Sequence, residues 1–195
     1  MLPLLRAAAT ILLILSLLTG IAYPLAVTFV AQIAFSNQAN GSLRVESGTA
    51  VGSRLLGQSY TAPEYFWGRP SATAPMPANG MASGGSNQGP TNPALLETVR
   101  DRCSRLREAD PDNTDPVPVD LVTASASGLD PEISPAAALY QANRVARATG
   151  LSLKTVQQLI ARHIEPPTLG FLGQPRVNVL ELNLDLRRTR EQLAD

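Results

Sequence analysis

A single cysteine, Cys103, excludes any intrachain disulfide, so a folded domain in this chain must be stable through packing alone. A single histidine, His163, with one cysteine and no carboxylate cluster at ligand spacing, leaves a zinc or iron centre unsupported. Charged residues are only 16% of the chain and cancel to zero, which removes the broad basic field that nucleic acid or anionic lipid would need. Lys154 is the only lysine; arginine takes its place elsewhere, a matter of base composition more than of mechanism. No Gly-x-Ser-x-Gly elbow occurs, because Gln88 stands where the second glycine belongs, and no Lys-Ser/Thr pair follows the glycine-rich loop. These gaps argue against hydrolase and nucleotide-loop chemistry.

What is present begins with an uncharged run of 29 residues from Ala7 to Phe35, rich in Leu, Ile, Val and Ala. About 20 helical residues cross a hydrocarbon core of about 30 Å, so the run has length to spare. A secretory signal peptide would place Arg6 at its basic end and Leu4–Leu18 at its apolar centre, but the run continues past Gly20 and the next charge is Arg44. An uncleaved anchor fits better. Gly20 and Pro24 would loosen or kink the helix, and with Tyr23 and the small or polar Thr10, Ser16, Thr19, Thr28 and Gln32 they mark it for packing against other helices. Arg6 at one end, against no basic residue in Ser36–Leu43, keeps residues 1–6 cytoplasmic and places everything after Phe35 outside.

The expected organisation is therefore α+β: a transmembrane helix over 7–35, a linker over 36–50, and a single extracytoplasmic mixed α/β domain over 51–195. Within that domain Val51–Gln58 reads as a strand or extended segment. Residues 60–92 alternate proline with glycine yet hold Tyr60, Tyr65, Phe66 and Trp67, a mixture that predicts an irregular loop packed on its own domain or on a partner. Asn92-Pro93 opens a helix to about Arg107, with a charged face (Glu97, Arg100, Asp101, Arg102, Arg105, Arg107, Glu108) read as solvated and supported by ion pairs. Val117–Ala124 reads as a strand. Ser134-Pro135 opens a second helix ending at Gly150, and Ser152 caps a third, whose Val156, Leu159, Ile160 and His163 fall on one buried face. Pro166-Pro167 ends that helix, Arg176–Leu182 reads as a strand, and Asn183–Ala194 as a charged terminal helix.

Ser83-Gly84-Gly85-Ser86-Asn87-Gln88-Gly89 is the best candidate for chemistry, since successive glycines let backbone amides cup an anion. Gly89-Pro90-Thr91 follows it without a lysine, so a structured loop that meets a partner is the expected role. It is similar in part to the Ser-Gly-Gly-Gln signature that grips a γ-phosphate in another class of transport ATPase, though there the motif caps a helix. His163 is expected as a core histidine, bonded to a backbone carbonyl, and Cys103 as a buried helix residue. Ser152-Leu153-Lys154 points its serine and lysine to different helix faces, which argues against a dyad. Ser127-Gly128-Leu129-Asp130-Pro131 is turn chemistry, with Asp130 free to accept backbone amides. The competing functional class is a membrane-anchored extracytoplasmic serine hydrolase using Ser86 or Ser125.

Taken in order, the motifs resemble the C subunit of the Kdp-type potassium-transporting ATPase, a bacterial P-type complex of the inner membrane. The likeness covers nearly the whole chain. It rests on Tyr23-Pro24-Leu25, Gly52-Ser53 with Leu55 and Gly57-Gln58, Phe66-Trp67-Gly68-Arg69-Pro70-Ser71-Ala72, and Ser83-Gly84-Gly85-Ser86-Asn87 with Gly89-Pro90-Thr91-Asn92. It continues through Asp120-Leu121-Val122-Thr123-Ala124-Ser125, Ser127-Gly128-Leu129-Asp130-Pro131, Ile133-Ser134-Pro135-Ala136-Ala137, Arg144-Val145-Ala146, and Arg176-Val177-Asn178-Val179-Leu180 with Leu182-Asn183. The family pattern tends to have Gly where Ala126 stands, His at Glu132, Thr at Ile164 and Glu at Gln174.

The resemblance implies a non-catalytic accessory subunit in potassium transport. Its partners would be membrane lipid, a channel-like subunit and an ATP-hydrolysing P-type subunit; the latter's Asp-Lys-Thr-Gly-Thr sequence is absent here. It also implies a catalytic chaperone that raises the pump subunit's affinity for ATP. An outward domain cannot touch cytosolic ATP, so nucleotide binding would belong to the complex and the effect would be indirect. No cofactor is expected on the chain itself. Partner-facing candidates are Gly20, Tyr23 and Pro24 in the span, Phe66, Trp67 and Arg69 in the aromatic loop, Ser83, Gly84, Gly85, Ser86 and Asn87 in the glycine-rich loop, and Asp130.

Overall fold

The computed structural model describes residues 1–194, which divide into two compact units, Met1–Leu43 and the residues from Arg44 onward. The first is a continuous helix of 33 residues, Leu2–Ala34, about 50 Å long at about 1.5 Å per residue. It consists of α1 (Leu2–Leu17), a π turn (Leu18–Ala22) and α2 (Tyr23–Ala34). No residue in it is buried, and it takes in Arg6 at its amino end. Pro24 has no N–H to offer the carbonyl of Gly20, and the preceding turn widens so that the Tyr23 N–H reaches Leu18 O. The loosening expected at Gly20 and Pro24 therefore takes the form of one π turn. Phe35 leaves helical geometry (φ −138°) and a last turn, α3 (Ser36–Ala39), follows. Asn40 closes this end with a clasp to Gln32, donating from Nδ2 to Gln32 Oε1 at 3.1 Å.

At the boundary comes a two-stranded sheet, β1 (Leu43–Glu46) and β2 (Thr49–Ser53), which occupies part of the stretch read as linker. After a long irregular segment come α4 (Pro93–Ala109), a 3₁₀ turn (Val119–Leu121), β3 (Glu132–Ile133), α5 (Pro135–Thr149), α6 (Leu153–Arg162), β4 (Ile164–Glu165), β5 (Arg176–Asn178) and α7 (Val179–Ala194). The order β3-β5-β4 makes a small antiparallel sheet with Val177 opposite both Ile133 and Ile164. One apolar helix followed by a mixed domain is the α+β organisation expected.

Capping explains the helix starts. Asn92, Ser134 and Ser152 each accept a backbone N–H from the first turn, at 3.0, 3.0 and 3.1 Å. Gly150 ends α5 in the left-handed region (φ 74°), where a side chain would be strained. Helix α5 lies at the centre of the core. Ala137, Ala138, Ala142, Val145 and Ala146 are buried on it, and small side chains let its neighbours approach closely. Val156, Leu159 and Ile160 of α6 and Leu182 and Leu186 of α7 close over it.

Three local expectations fail for identifiable reasons. Val117–Ala124 is not a strand: Leu121 and Val122 are both buried, whereas neighbours on a strand point to opposite faces. The 3₁₀ turn aims Asp120 at α5, where its Oδ2 accepts the Ser134 N–H at 2.7 Å. The β-branched run from Arg176 is a strand only to Asn178, whose Oδ1 then accepts the Glu181 N–H at 3.1 Å and starts α7. His163 is not in the helix face; it is the C-cap of α6, and its Nε2 lies 3.0 Å from Asp185 Oδ2, a carboxylate in place of the expected carbonyl.

Candidate functional site

The aromatic loop has no secondary structure, and its backbone polar groups are satisfied by side chains instead. Phe66 is fully buried. Its N–H donates to Asn183 Oδ1 at 2.8 Å and its carbonyl accepts from Asn183 Nδ2 at 2.9 Å. Gln141 of α5 repeats the arrangement one residue later, accepting the Trp67 N–H at 2.8 Å and donating to the Trp67 carbonyl at 3.1 Å. Two amide side chains thus replace a neighbouring strand. Arg144 adds bonds to the carbonyls of Pro63 and Tyr65 and lies over the Trp67 ring, 4.1 Å from its centroid. Burial pushes its guanidinium down to about 10. Trp67 Nε1 closes the loop on Ala62 O at 2.9 Å. The loop packs on its own domain, and Phe66 has no surface left for a partner.

Beyond Trp67 the chain crosses the turn at Ser125–Asp130, on which two further segments converge. Arg69 Nη1 donates to Asp130 Oδ2 at 3.0 Å, and Asp130 Oδ1 takes the Glu132 N–H at 3.1 Å, the backbone acceptance expected of it. Ser71 Oγ donates to Gly128 O at 2.7 Å, and the Gly57 N–H to Leu129 O at 2.9 Å. From the glycine-rich loop the Gly84 N–H and Ser83 Oγ both donate to Ser127 O, at 2.9 and 3.0 Å. Gly85 passes so close that a Cβ there would lie 2.8 Å from Ala126 O. The amide that would cup an anion at Gly84 is spent on the protein itself. Ser86 and Asn87 remain exposed, with Asn87 at φ 52°.

The convergence leaves a cleft of about 760 Å³ between these loops and α4. Tyr60, Trp67, Arg69 and Asp130 line one side, and Arg102, Arg105 and Leu106 the other. Burial, ahead of the Tyr65 phenol, raises the Tyr60 hydroxyl, which donates to Gln58 Oε1 at 3.0 Å. The α4 face is not the ion-paired surface expected. Among the described residues no ion pair links its side chains, and Arg102 turns inward to donate to Val122 O at 2.9 Å. Cys103 is half-buried against the core rather than fully enclosed.

Of the candidates read from sequence, the fold brings Trp67, Arg69, Ser83, Gly84, Gly85 and Asp130 around one loop junction, while Gly20, Tyr23 and Pro24 lie in the apolar helix. Gln141, Arg144 and Asn183 hold the junction's aromatic arm; Arg144 and Asn183 stand in the family-like motifs without a site role being read for them, Gln141 in none, and polar residues on otherwise apolar helix faces were the available signal. Among the described residues, the hydroxyls of Ser86 and Ser125 are not joined to a base. Ser125 is buried and accepts the Gly128 N–H at 3.2 Å, and the His163 ring is turned to Asp185.

Comparison with known proteins agrees over the same span. A family model described as K+-transporting ATPase, c chain, matches residues 5–188. The potassium-transporting ATPase KdpC subunit of Polaromonas naphthalenivorans (strain CJ2) is 63% identical over 182 residues, 93% of each chain. That of Variovorax paradoxus (strain S110) is 61% identical over 181 residues, 93% of this chain and 94% of the other. The Sorangium cellulosum (strain So ce56) subunit is 60% identical over 190 residues, 97% and 100% of the two chains. A single apolar helix, a loop junction built as the ordered motifs require, and likeness along nearly the full length place this chain in the KdpC family of potassium-transporting ATPase subunits.

Proposed function

We propose that this chain is the membrane-anchored accessory subunit of a potassium-uptake ATPase, with its amino terminus in the cytoplasm and its α+β domain on the outer face of the inner membrane. It assembles with a channel-like subunit and an ATP-hydrolysing P-type subunit, stabilises that assembly, and performs no chemistry itself. The observation that carries this reading is the helix Leu2–Ala34, apolar, long enough to span and without a buried residue. In lipid such a helix presents Gly20 and the π turn as a close-approach surface for other helices.

An effect on ATP affinity follows by linkage: an outer domain that binds one state of the pump better than another shifts the cytosolic site without touching nucleotide. Such a role makes the chain a catalytic chaperone acting at a distance. The test uses Asn37→Cys in a Cys103→Ala background, with a membrane-impermeant thiol reagent on whole spheroplasts. Labelling of intact spheroplasts is expected. Labelling only after the inner membrane is breached would invert the topology and restore direct contact with ATP.

A further inference from the structure

The cleft beside α4 holds more positive charge than the chain neutralises. Its two acidic neighbours are Asp130, already engaged by Arg69 and the Glu132 N–H, and Glu108, which makes no ion pair among the described residues. Arg102 spends one bond on Val122 O, and Arg105 is exposed with no carboxylate partner among the described residues. Burial first, then the neighbouring Arg105, lowers the Arg102 pKa. The Arg69 Nε–H is buried without a partner. Tyr60, Trp67 and Leu106 also line the cleft, so apolar surface stands beside the cationic groups.

This chemistry calls for an anion on an apolar stem. A compact phosphate fits poorly. The backbone N–H groups of Gly57, Gly84 and Gly128, which would cup a compact phosphate, are already spent on Leu129, Ser127 and Ser125. Guanidinium forks remain, which pair with carboxylate and phosphate alike, and the apolar Tyr60 and Trp67 beside them favour carboxylates carried on a peptide segment. We propose that this cleft is the docking groove for an acidic segment of a partner protein, whose carboxylates pair with Arg102 and Arg105 while its apolar side chains rest on Tyr60 and Trp67. The inference rests on the accessory-subunit reading for the partner being another subunit of the complex.

The test titrates detergent-solubilised full-length chain into a fluorescein-labelled hexa-aspartate peptide at about 50 mM salt, where screening is weak, and reads anisotropy. Saturable binding is expected. Arg105→Gln weakens it severalfold, and Arg102→Gln with Arg105→Gln by about tenfold or more, as loss of charge-assisted bonds requires. Arg187→Gln with Arg188→Gln, which removes the arginines paired with Glu46, leaves it unchanged. The proposal is overturned by no saturable binding, by equal loss in both double variants, or by displacement with ATP or inorganic phosphate at lower concentration than unlabelled peptide. Copurification of the wild-type chain with the larger subunits is measured alongside. If it persists while the peptide does not bind, the groove fails and the accessory role stands; if the chain never copurifies, the accessory role itself fails.

Discussion

Asn183 holds Phe66 by both ends of its amide, accepting the residue's N–H at 2.8 Å and donating to its carbonyl at 2.9 Å across 117 positions of sequence. Both partners are buried. The pair fixes the aromatic loop onto α7, and through Trp67 and Gln141 onto α5.

Asn183→Ala strands a buried N–H and a buried carbonyl together, each costing about 1–3 kcal/mol. The domain should lose about 2–6 kcal/mol in urea unfolding, and Trp67 fluorescence should report a loosened loop before the main transition. Asn183→Asp keeps the acceptor but sets a buried carboxylate oxygen against the Phe66 carbonyl, and at neutral pH should destabilise at least as much as Asn183→Ala.

Gly84 and Gly85 are neighbours with opposite tolerance. A Cβ on Gly85 meets Ala126 O at 2.8 Å, whereas one on Gly84 meets nothing within 4 Å. Gly85→Ala should destabilise the domain by about 1–3 kcal/mol, the usual cost of overpacking, and Gly84→Ala should leave the thermal midpoint within error.

Glu132 shows how pH should act on the small sheet. Burial raises its carboxyl above the ordinary 4.5, outweighing the opposing pull of Arg176, to which it is bonded at 2.9 Å. Below 4.5 both folded and unfolded chains carry the proton and the group has no effect. As pH climbs from 4.5 through the higher folded-state value, the unfolded chain releases the proton first, so the folded state is penalised. Stability of the wild type relative to Glu132→Gln should therefore decline across that window and then level off. Thermal midpoints of the two proteins from pH 4 to pH 7, taken as about the range where carboxyls titrate, measure it.

In the span, a Cβ at Gly20 meets nothing within 4 Å in the isolated chain. Gly20→Leu should leave the folding of the outer domain untouched, by thermal unfolding and circular dichroism, yet lower the yield of chain recovered with the larger subunits severalfold. Unchanged recovery would show that this helix face meets lipid alone.

Much of the secondary structure was legible because it is written in neighbouring residues. Asn92, Ser134 and Ser152 each stand one position before a helix, and Val156, Leu159 and Ile160 repeat at helical spacing. Where the reading failed, distant partners outweighed local pattern. The apolar alternation at Val119–Thr123 looks like a strand until Asp120 is drawn to Ser134. The β-branched residues at Arg176–Val179 hide a helix start in which Asn178, three places before Glu181, is the legible signal that went unused. The charged face of α4 shows the same limit, since nothing around Arg102 tells that its guanidinium turns to Val122.

The amino-acid sequence alone determines that one apolar helix precedes a disulfide-free mixed domain, because length, charge and helix caps act within a few residues of themselves. Only the tertiary structure decides which polar side chains complete the irregular loops and which arginines are left without counter-charge. Gln141 reaches Trp67 across 74 positions and Asn183 reaches Phe66 across 117. Contacts over such separations depend on how the helices pack about α5, and no local pattern encodes them.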